Sequence, residues 1–455
     1  MARSRSGSRL GRLTLLFGAG LLLISPGPVA GAQAASDELV APFFLVLLAV
    51  LVGAKLLGEL AERLGQPAVL GELIAGVLLG ASVLGVLPEA GTIREVMQLL
   101  AEIGVAILLF EIGLETDLKE MFRVGGSASI VAVVGVVVPF FLGFVYWILV
   151  QPAIGTHAAG ISTTIVAVFV GATLTATSVG ITARVLTDIG RIHTREARIV
   201  IGAAVVDDVL GLVILAIVSG LAAGASLTIF GVTLKFAVAA GFLVVALVLG
   251  NRIAPRLFGF IDRMRVRGVL LVMAFCFALL FAALAKLAGS AMIIGSFAAG
   301  IVLSSTNQFD LITDRIAPVA DIFAPIFFVV VGAGVNVALL NPWSPAFDLS
   351  VLGVGGALLA IAIFGKVIAG FTVGWGAERL NHAAIGIGMI PRGEVGLIFA
   401  HMGLTRGILS QQVFSAILIM VIFTTFLAPP LLKPAFARTA VPSVPAVPPT
   451  ESAPS

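Results

Sequence analysis

The sequence predicts an all-α polytopic membrane protein assembled from an inverted internal repeat. Three observations carry that expectation. Hydrophobic residues make up 59% of the chain and charged residues 11%, with a mean hydropathy of +1.16; a soluble protein carries about 25% charged residues. Thirteen stretches read as helices long and apolar enough to cross a bilayer, which takes about 20 residues each. Three pairs of segments from the two halves of the chain match in the same order. The single cysteine, Cys276, rules out an internal disulfide and CxxC chemistry, and the four scattered histidines form no metal-ligand cluster. No nucleophile–base pair or cofactor fingerprint is present, so the reading is of a non-enzyme without cofactor.

Residues 1–35 read as a secretory signal: Arg3, Arg5, Arg9 and Arg12, then the apolar LTLLFGAGLLLI, then a small-residue AQA at 32–34. The membrane domain is expected over 36–435, and the Pro-, Ala- and Ser-rich 436–455 as a disordered cytoplasmic tail. The spans are expected at about 38–58, 67–86, 93–113, 127–150, 158–187, 197–220, 228–250, 268–287, 290–305, 317–340, 351–375, 383–403 and 410–432.

With the mature N-terminus outside, the loops on the cytoplasmic side hold Arg63, Lys119, Arg123, the arginines between 184 and 198, those between 252 and 267, Arg315, Arg379, Lys433 and Arg438. The outer loops hold only Arg94, Lys286 and Arg406. That asymmetry obeys the positive-inside rule and sets the C-terminus in the cytoplasm of a bacterial inner membrane.

The matched pairs are GELIAGVLL (71–79) with GSFAAGIVL (295–303), ILLFEIGLETDL (107–118) with IFFVVVGAGVNVAL (326–339), and TSVGITARVLTDIG (177–190) with GEVGLIFAHMGLTR (393–406). Seven spans separate the members of each pair, so the copies run in opposite directions across the membrane. The fifth span carries GATLTATSVGIT, with Thr173, Thr175, Thr177, Ser178 and Gly180, and the twelfth carries GIGMIPRGEVG, with Pro391 between Gly388 and Gly393. Both interrupt a helical run at corresponding places, which is the sequence sign of a binding site made of broken helices whose freed carbonyls and half-helix ends can hold an ion.

Asp207 and Asp208 lie side by side in the sixth span, about 15 Å from its cytoplasmic end at 1.5 Å per residue. Lys366 lies at similar depth in the eleventh span, and Arg392 and Glu394 sit in the second break. Charged groups at membrane depth cost at least a few kcal/mol each and are rarely left without a task. Adjacent helical residues point about 100° apart, so one aspartate can face a cavity while the other faces a helix carrying Lys366. A carboxylate together with freed carbonyls and the hydroxyls of Thr177 and Ser178 would bind a hard monovalent cation such as Na⁺ or Li⁺. The same carboxylate binds a proton, and competition with alternating access gives obligate exchange.

These residues resemble the monovalent cation–proton antiporters of the NhaA-like fold, in the branch of NapA-like sodium–proton and Kef-like potassium–proton antiporters. The resemblance spans about residues 40–432. It rests on GQPAVLGELIAGVLLG (65–80), LLFEIGLETDL (108–118), GATLTATSVGITARVL (171–186), the Asp207–Asp208 pair, FFVVVG (327–332), Lys366 and PRGEVGLI (391–398). It implies a core domain with two crossing, unwound helices and a dimerisation domain, hence a homodimer. It also implies that Asp208 binds cation and proton, that Asp207 pairs with Lys366, and that exchange is electrogenic, moving more protons than cations. Pro391, Arg392, Glu394 and Thr175 are expected to hold the break and gate it.

Kef-like proteins usually carry a C-terminal nucleotide-binding domain where only a short tail follows here, and GAGVNV (332–337) is read as helix packing within a span. Glu115, Asp117 and Glu120 are read as a solvated loop end; Glu72 and Glu102 fall within spans with partners the sequence does not reveal. Na⁺ and K⁺ remain open. A bile-acid-type symporter has no need of an Asp–Asp–Lys set, and a channel would want a continuous polar lining.

Overall fold

The structure is a computed structural model. It describes residues 33–115, 126–150, 154, 161–192, 194–222, 229–288, 292–345, 347–373 and 380–437. Of the segment 1–35 read as a signal, residues 1–32 lie outside the described residues, as do Asp117, Glu120, the tail beyond residue 437 and the side chains of Asp208 and Glu394. Contacts separate an N-terminal unit ending at Leu47, of which only the helical residues from Gln33 onward are described, from a unit holding Leu48–Ser455.

The described elements are helical: α1 (Gln33–Arg63), α2 (Ala68–Leu79), α3 (Thr92–Glu115), α4 (Gly126–Val150), α5 (Thr163–Thr173), α6 (Val179–Asp188), α7 (Arg195–Ala222), α8 (Ile229–Ile261), α9 (Val269–Leu287), α10 (Met292–Ser304), α11 (Phe309–Ala333), α12 (Leu349–Gly370), α13 (His382–Gly388), α14 (Glu394–Thr405) and α15 (Gln411–Ala437). Among the described residues, eight helices are long and apolar enough to cross a membrane. With large apolar side chains exposed along α1, α4 and α8, this is a polytopic helical membrane protein.

Local chemistry sets the helix ends. Ser162, Asp348 and Asn381 open α5, α12 and α13, each side chain accepting from a backbone N–H of the first turn. Asn381 also donates to Ala435 O at 2.9 Å, and its own N–H donates to Glu196 at 3.0 Å, tying α13 to α15 and α7. The tenth span is displaced from its expected 317–340: α11 runs Phe309–Ala333. Its polar first turns were invisible to an apolar window. Its end is fixed where Gly334 leaves the helix and the Asn336 side chain accepts from Ala338 N, starting a short 3₁₀ turn. The GAGVNV segment is therefore only partly helix packing: Gly332 packs against α2, while Gly334–Asn336 form a turn.

Two helical bundles form. In one, α3 packs against α10 and α11, α9 against α10, and α2 against α11. In the other, α4 packs against α5, α7 and α12, α12 against α13 and α15, and α14 against α5 and α15. The long α8 touches α7 on one side and α9 and α10 on the other.

Close backbone approaches recur in matching pairs. A Cβ on Gly71 would stand 2.0 Å from Leu57 O, and one on Gly295 would stand 2.1 Å from Phe281 O. A Cβ on Gly76 would stand 2.2 Å from Val329 O, and one on Gly300 would stand 2.2 Å from Phe110 O. In the second bundle, Gly171 meets Phe140 O and Gly386 meets Val367 O in the same way. Only a residue without a side chain permits these helix separations.

Candidate functional site

The two interrupted helices meet at their breaks. Thr173 ends α5, and the Thr173 and Thr175 hydroxyls each donate at 2.8 Å to a carbonyl three residues back, Val170 O and Ala172 O. Thr175 thus serves its own turn. In the partner helix, α13 stops at Gly388 and Pro391 has no N–H to continue it, so Met389–Gly393 cross to α14 unwound.

The strands of the crossing are bonded to each other. Ser178 N donates to Pro391 O at 2.9 Å, Thr177 Oγ1 to Met389 O at 3.2 Å, and Thr182 Oγ1 to Gly388 O at 2.9 Å. A Cβ on Gly393 would lie 2.6 Å from Ser178 Cβ, so glycine is needed there for the approach itself.

Arg392 is the largest charged group within the crossing and is 1% exposed. Its Nη1 donates to Ala176 O at 2.6 Å and its Nη2 to Ala362 O at 3.3 Å. One guanidinium therefore bridges the first break and α12, one turn before Lys366. The Arg392 carbonyl accepts from Thr425 Oγ1 of α15 at 2.8 Å. Carbonyls freed by unwinding must find donors within the protein where the bilayer offers none, and Thr425 and Arg392 supply them here.

Lys366 Nζ lies 3.0 Å from Asp207 Oδ2, and both side chains are wholly buried. The ammonium sits where α12 faces α4: a Cβ on Gly135 would come within 3.5 Å of it. Asp207 Oδ1 and Arg392 Nε are buried without a hydrogen-bond partner. A buried polar atom left without a hydrogen-bond partner is uncommon in a folded protein and marks this position as one to explain. Asp208 follows Asp207 on α7.

The structure thus brings together Asp207 with Lys366, and Thr177, Ser178, Pro391 and Arg392 with one another. Thr182, Thr425 and the Ala362 carbonyl are additions that sequence reasoning missed. Thr182 lies in the repeated segment and was available to it, whereas Thr425 and Ala362 have no local signal. Glu72 is buried on α2 within the electrostatic reach of Lys55 and Asp321, which pair with each other at 3.8 Å on the surface.

The profile of the family described as sodium/hydrogen exchanger, transmembrane, matches residues 46–438. The chain is 42% identical over 444 residues to the high-affinity Na⁺/H⁺ antiporter NhaS3 of Synechocystis sp., covering 90% of this chain and 94% of that protein. It is 36% identical to the Na⁺/H⁺–K⁺ antiporter GerN of Bacillus cereus, covering 87% of this chain and 96% of that protein. The structure of the sodium proton antiporter MjNhaP1 from Methanocaldococcus jannaschii at pH 8 matches the fold with a TM-score of 0.63 at 18% identity, over 88% of this chain and 97% of that one. With the family profile spanning most of its length and a buried Asp–Lys pair beside two crossed breaks, the chain belongs to the sodium/hydrogen exchanger family of transmembrane monovalent cation–proton antiporters.

Proposed function

We propose that this protein is a secondary antiporter exchanging Na⁺ or Li⁺ for protons, electrogenically, by competition at the Asp207–Asp208 site with alternating access. The observation that carries the reading is the fully buried Lys366–Asp207 pair at 3.0 Å, on helices α7 and α12 that pack against the interrupted helices. In the proton-loaded state Asp208 carries a proton and Lys366 neutralises Asp207. A cation entering the site takes over Asp207 as a ligand, with Asp208, the Thr177 and Ser178 hydroxyls and freed carbonyls completing the oxygen shell. The Asp208 proton leaves, and Lys366, deprived of its counter-charge, releases a second. More protons than cations then move per cycle. Arg392 keeps its charge throughout and holds the breaks in register, with Pro391, Thr175 and Glu394 maintaining the unwound geometry.

The architecture proposed with it has thirteen spans, the mature N-terminus outside, the C-terminus inside a bacterial inner membrane, and a homodimer. The paired glycine approaches of α1–α2 with α9–α10, and of α4–α5 with α12–α13, support an inverted repeat. Potassium is retained as a second cation because the relative GerN is named for it.

The test is proton movement in proteoliposomes holding the purified protein and an internal pH dye, under an imposed proton gradient. Na⁺, Li⁺ and K⁺ are added in turn, with Asp208→Asn as control. A response to Na⁺ or Li⁺ that the control lacks supports the proposal. A response to K⁺ alone changes the ion, and equal responses from Asp208→Asn remove that residue from the mechanism.

A further inference from the structure

A cavity of about 400 Å³ opens between the two bundles at the end where α3 begins. Small-molecule sites occupy about 300–1,000 Å³. One bundle supplies the segment after α2, the first turn of α3 and the turn Gly334–Asn336 after α11. The other supplies Leu404 of α14 and Gln411 of α15. In the orientation proposed above, this is the outer face.

Much of the polar lining is already bonded. Ser82 Oγ donates to Val335 O at 3.0 Å and accepts from Val337 N at 3.3 Å. The Asn336 side-chain oxygen accepts from Ala338 N at 3.0 Å, and Gln411 Nε2 donates to Gly334 O. These bonds occupy two carbonyls of the turn and leave the Asn336 Nδ2 donors uncommitted among the described residues. Arg94 is partly buried, lines the cavity, and makes no hydrogen bond or ion pair to any described residue. Exposed Glu89 acts on it electrostatically without forming an ion pair. A guanidinium has five N–H donors. Those of Arg392, by contrast, are aimed at Ala176 O and Ala362 O.

We infer that this cavity binds a small water-soluble oxyanion, a carboxylate or a phosphate, held by the Arg94 guanidinium with the Asn336 amide. Guanidinium groups hold such oxygens through paired N–H donors. Uncommitted donors beside occupied carbonyls favour an acceptor-rich anion over a cation. Glu89 is the one carboxylate in the lining; it competes for Arg94 and weakens the site without closing it. Because the lining comes from both bundles, a bound anion ties them together and slows the motion of one against the other. This effect on rate rests on the alternating access proposed above; the binding itself does not.

The experiment uses the full-length protein in a neutral detergent, following the thermal midpoint by tryptophan fluorescence. Inorganic phosphate, acetate or chloride is titrated in at constant ionic strength. The variants are Arg94→Gln, Arg94→Lys, Glu89→Gln, and Arg406→Gln as an exposed arginine outside this cavity. Phosphate or acetate should raise the wild-type midpoint along a saturating curve, as a ligand of the folded state does, and chloride should not. Whichever of the two acts at lower concentration identifies the class. Arg94→Gln should need at least about tenfold more of that anion, and Arg94→Lys should fall between. Glu89→Gln keeps the guanidinium and should need about two- to fivefold less. Arg406→Gln should behave as wild type. A shift that does not saturate, that chloride reproduces, or that Arg94→Gln retains unchanged would overturn the inference, as would weaker binding in Glu89→Gln. In proteoliposomes, the anion added on the Arg94 side should slow exchange by the wild type and spare Arg94→Gln. Absence of cation–proton exchange under all conditions, with the midpoint shift intact, would count against the exchange mechanism and leave the anion site standing.

Discussion

Removing the Lys366 ammonium strands a buried charge. At 3.0 Å, and with an effective dielectric of 20, the Lys366–Asp207 attraction is about 5 kcal/mol before desolvation is counted. Lys366→Met leaves Asp207 wholly buried without this counter-charge, and breaking one partner of a buried pair costs about 3–5 kcal/mol. A folded protein holds only about 5–15 kcal/mol in reserve, so the thermal midpoint of the detergent-solubilised variant should fall by several degrees. Asp207→Asn combined with Lys366→Met removes both charges and should recover most of that loss, giving a coupling of about 1–3 kcal/mol in a double-mutant cycle. Midpoints of wild type, both single variants and the double, measured at one pH and scan rate, supply the cycle. The reasoning fails if the single losses simply add, or if Lys366→Met melts with the wild type. Charge moved per cation in proteoliposomes should also drop in Lys366→Met, because the second proton has lost its carrier.

Other perturbations separate the supports of the site. Arg392→Lys keeps the charge but cannot bridge Ala176 O and Ala362 O together; it should cost about 1.5–3 kcal/mol and lower the maximal exchange rate more than the apparent cation affinity, as read from cation titrations. Thr177→Val removes the hydroxyl that reaches Met389 O and should cost about 1 kcal/mol in thermal stability, with weaker apparent cation affinity. Gly71→Ala places a methyl 2.0 Å from Leu57 O and should destabilise by about 1–3 kcal/mol. Gly259→Ala, with nothing within 4 Å of the added carbon, should be neutral or gain up to about 1 kcal/mol. If the two melt alike, backbone crowding is not what selects glycine here. Gly135→Val should push the Lys366 side chain from its slot and reproduce part of the Lys366→Met loss in the same melting assay.

The sequence by itself determined the class of this protein. A chain so apolar cannot fold in water, and once in lipid its backbone polar groups require helices. It also located the interruptions, because proline and runs of Thr, Ser and Gly break a helix through local chemistry: α5 ends at Thr173 inside GATLTATSVGIT, and α13 ends at Gly388 before Pro391. Charged residues in apolar spans marked Asp207, Lys366 and Arg392 for the same reason, since their cost at depth is written in the residue type. Helix boundaries set by polar turns were less legible, as the shift of α11 shows.

Only the tertiary structure decided who meets whom. Asp207 and Lys366 are 159 residues apart in the chain, and the Arg392 guanidinium selects Ala176 O and Ala362 O among many equivalent carbonyls. Backbone carbonyls carry no sequence signature, and neither does the empty slot at Gly135 that admits an ammonium. Partners of this kind are settled by packing, where a few tenths of an ångström between helices determine which donor reaches which acceptor.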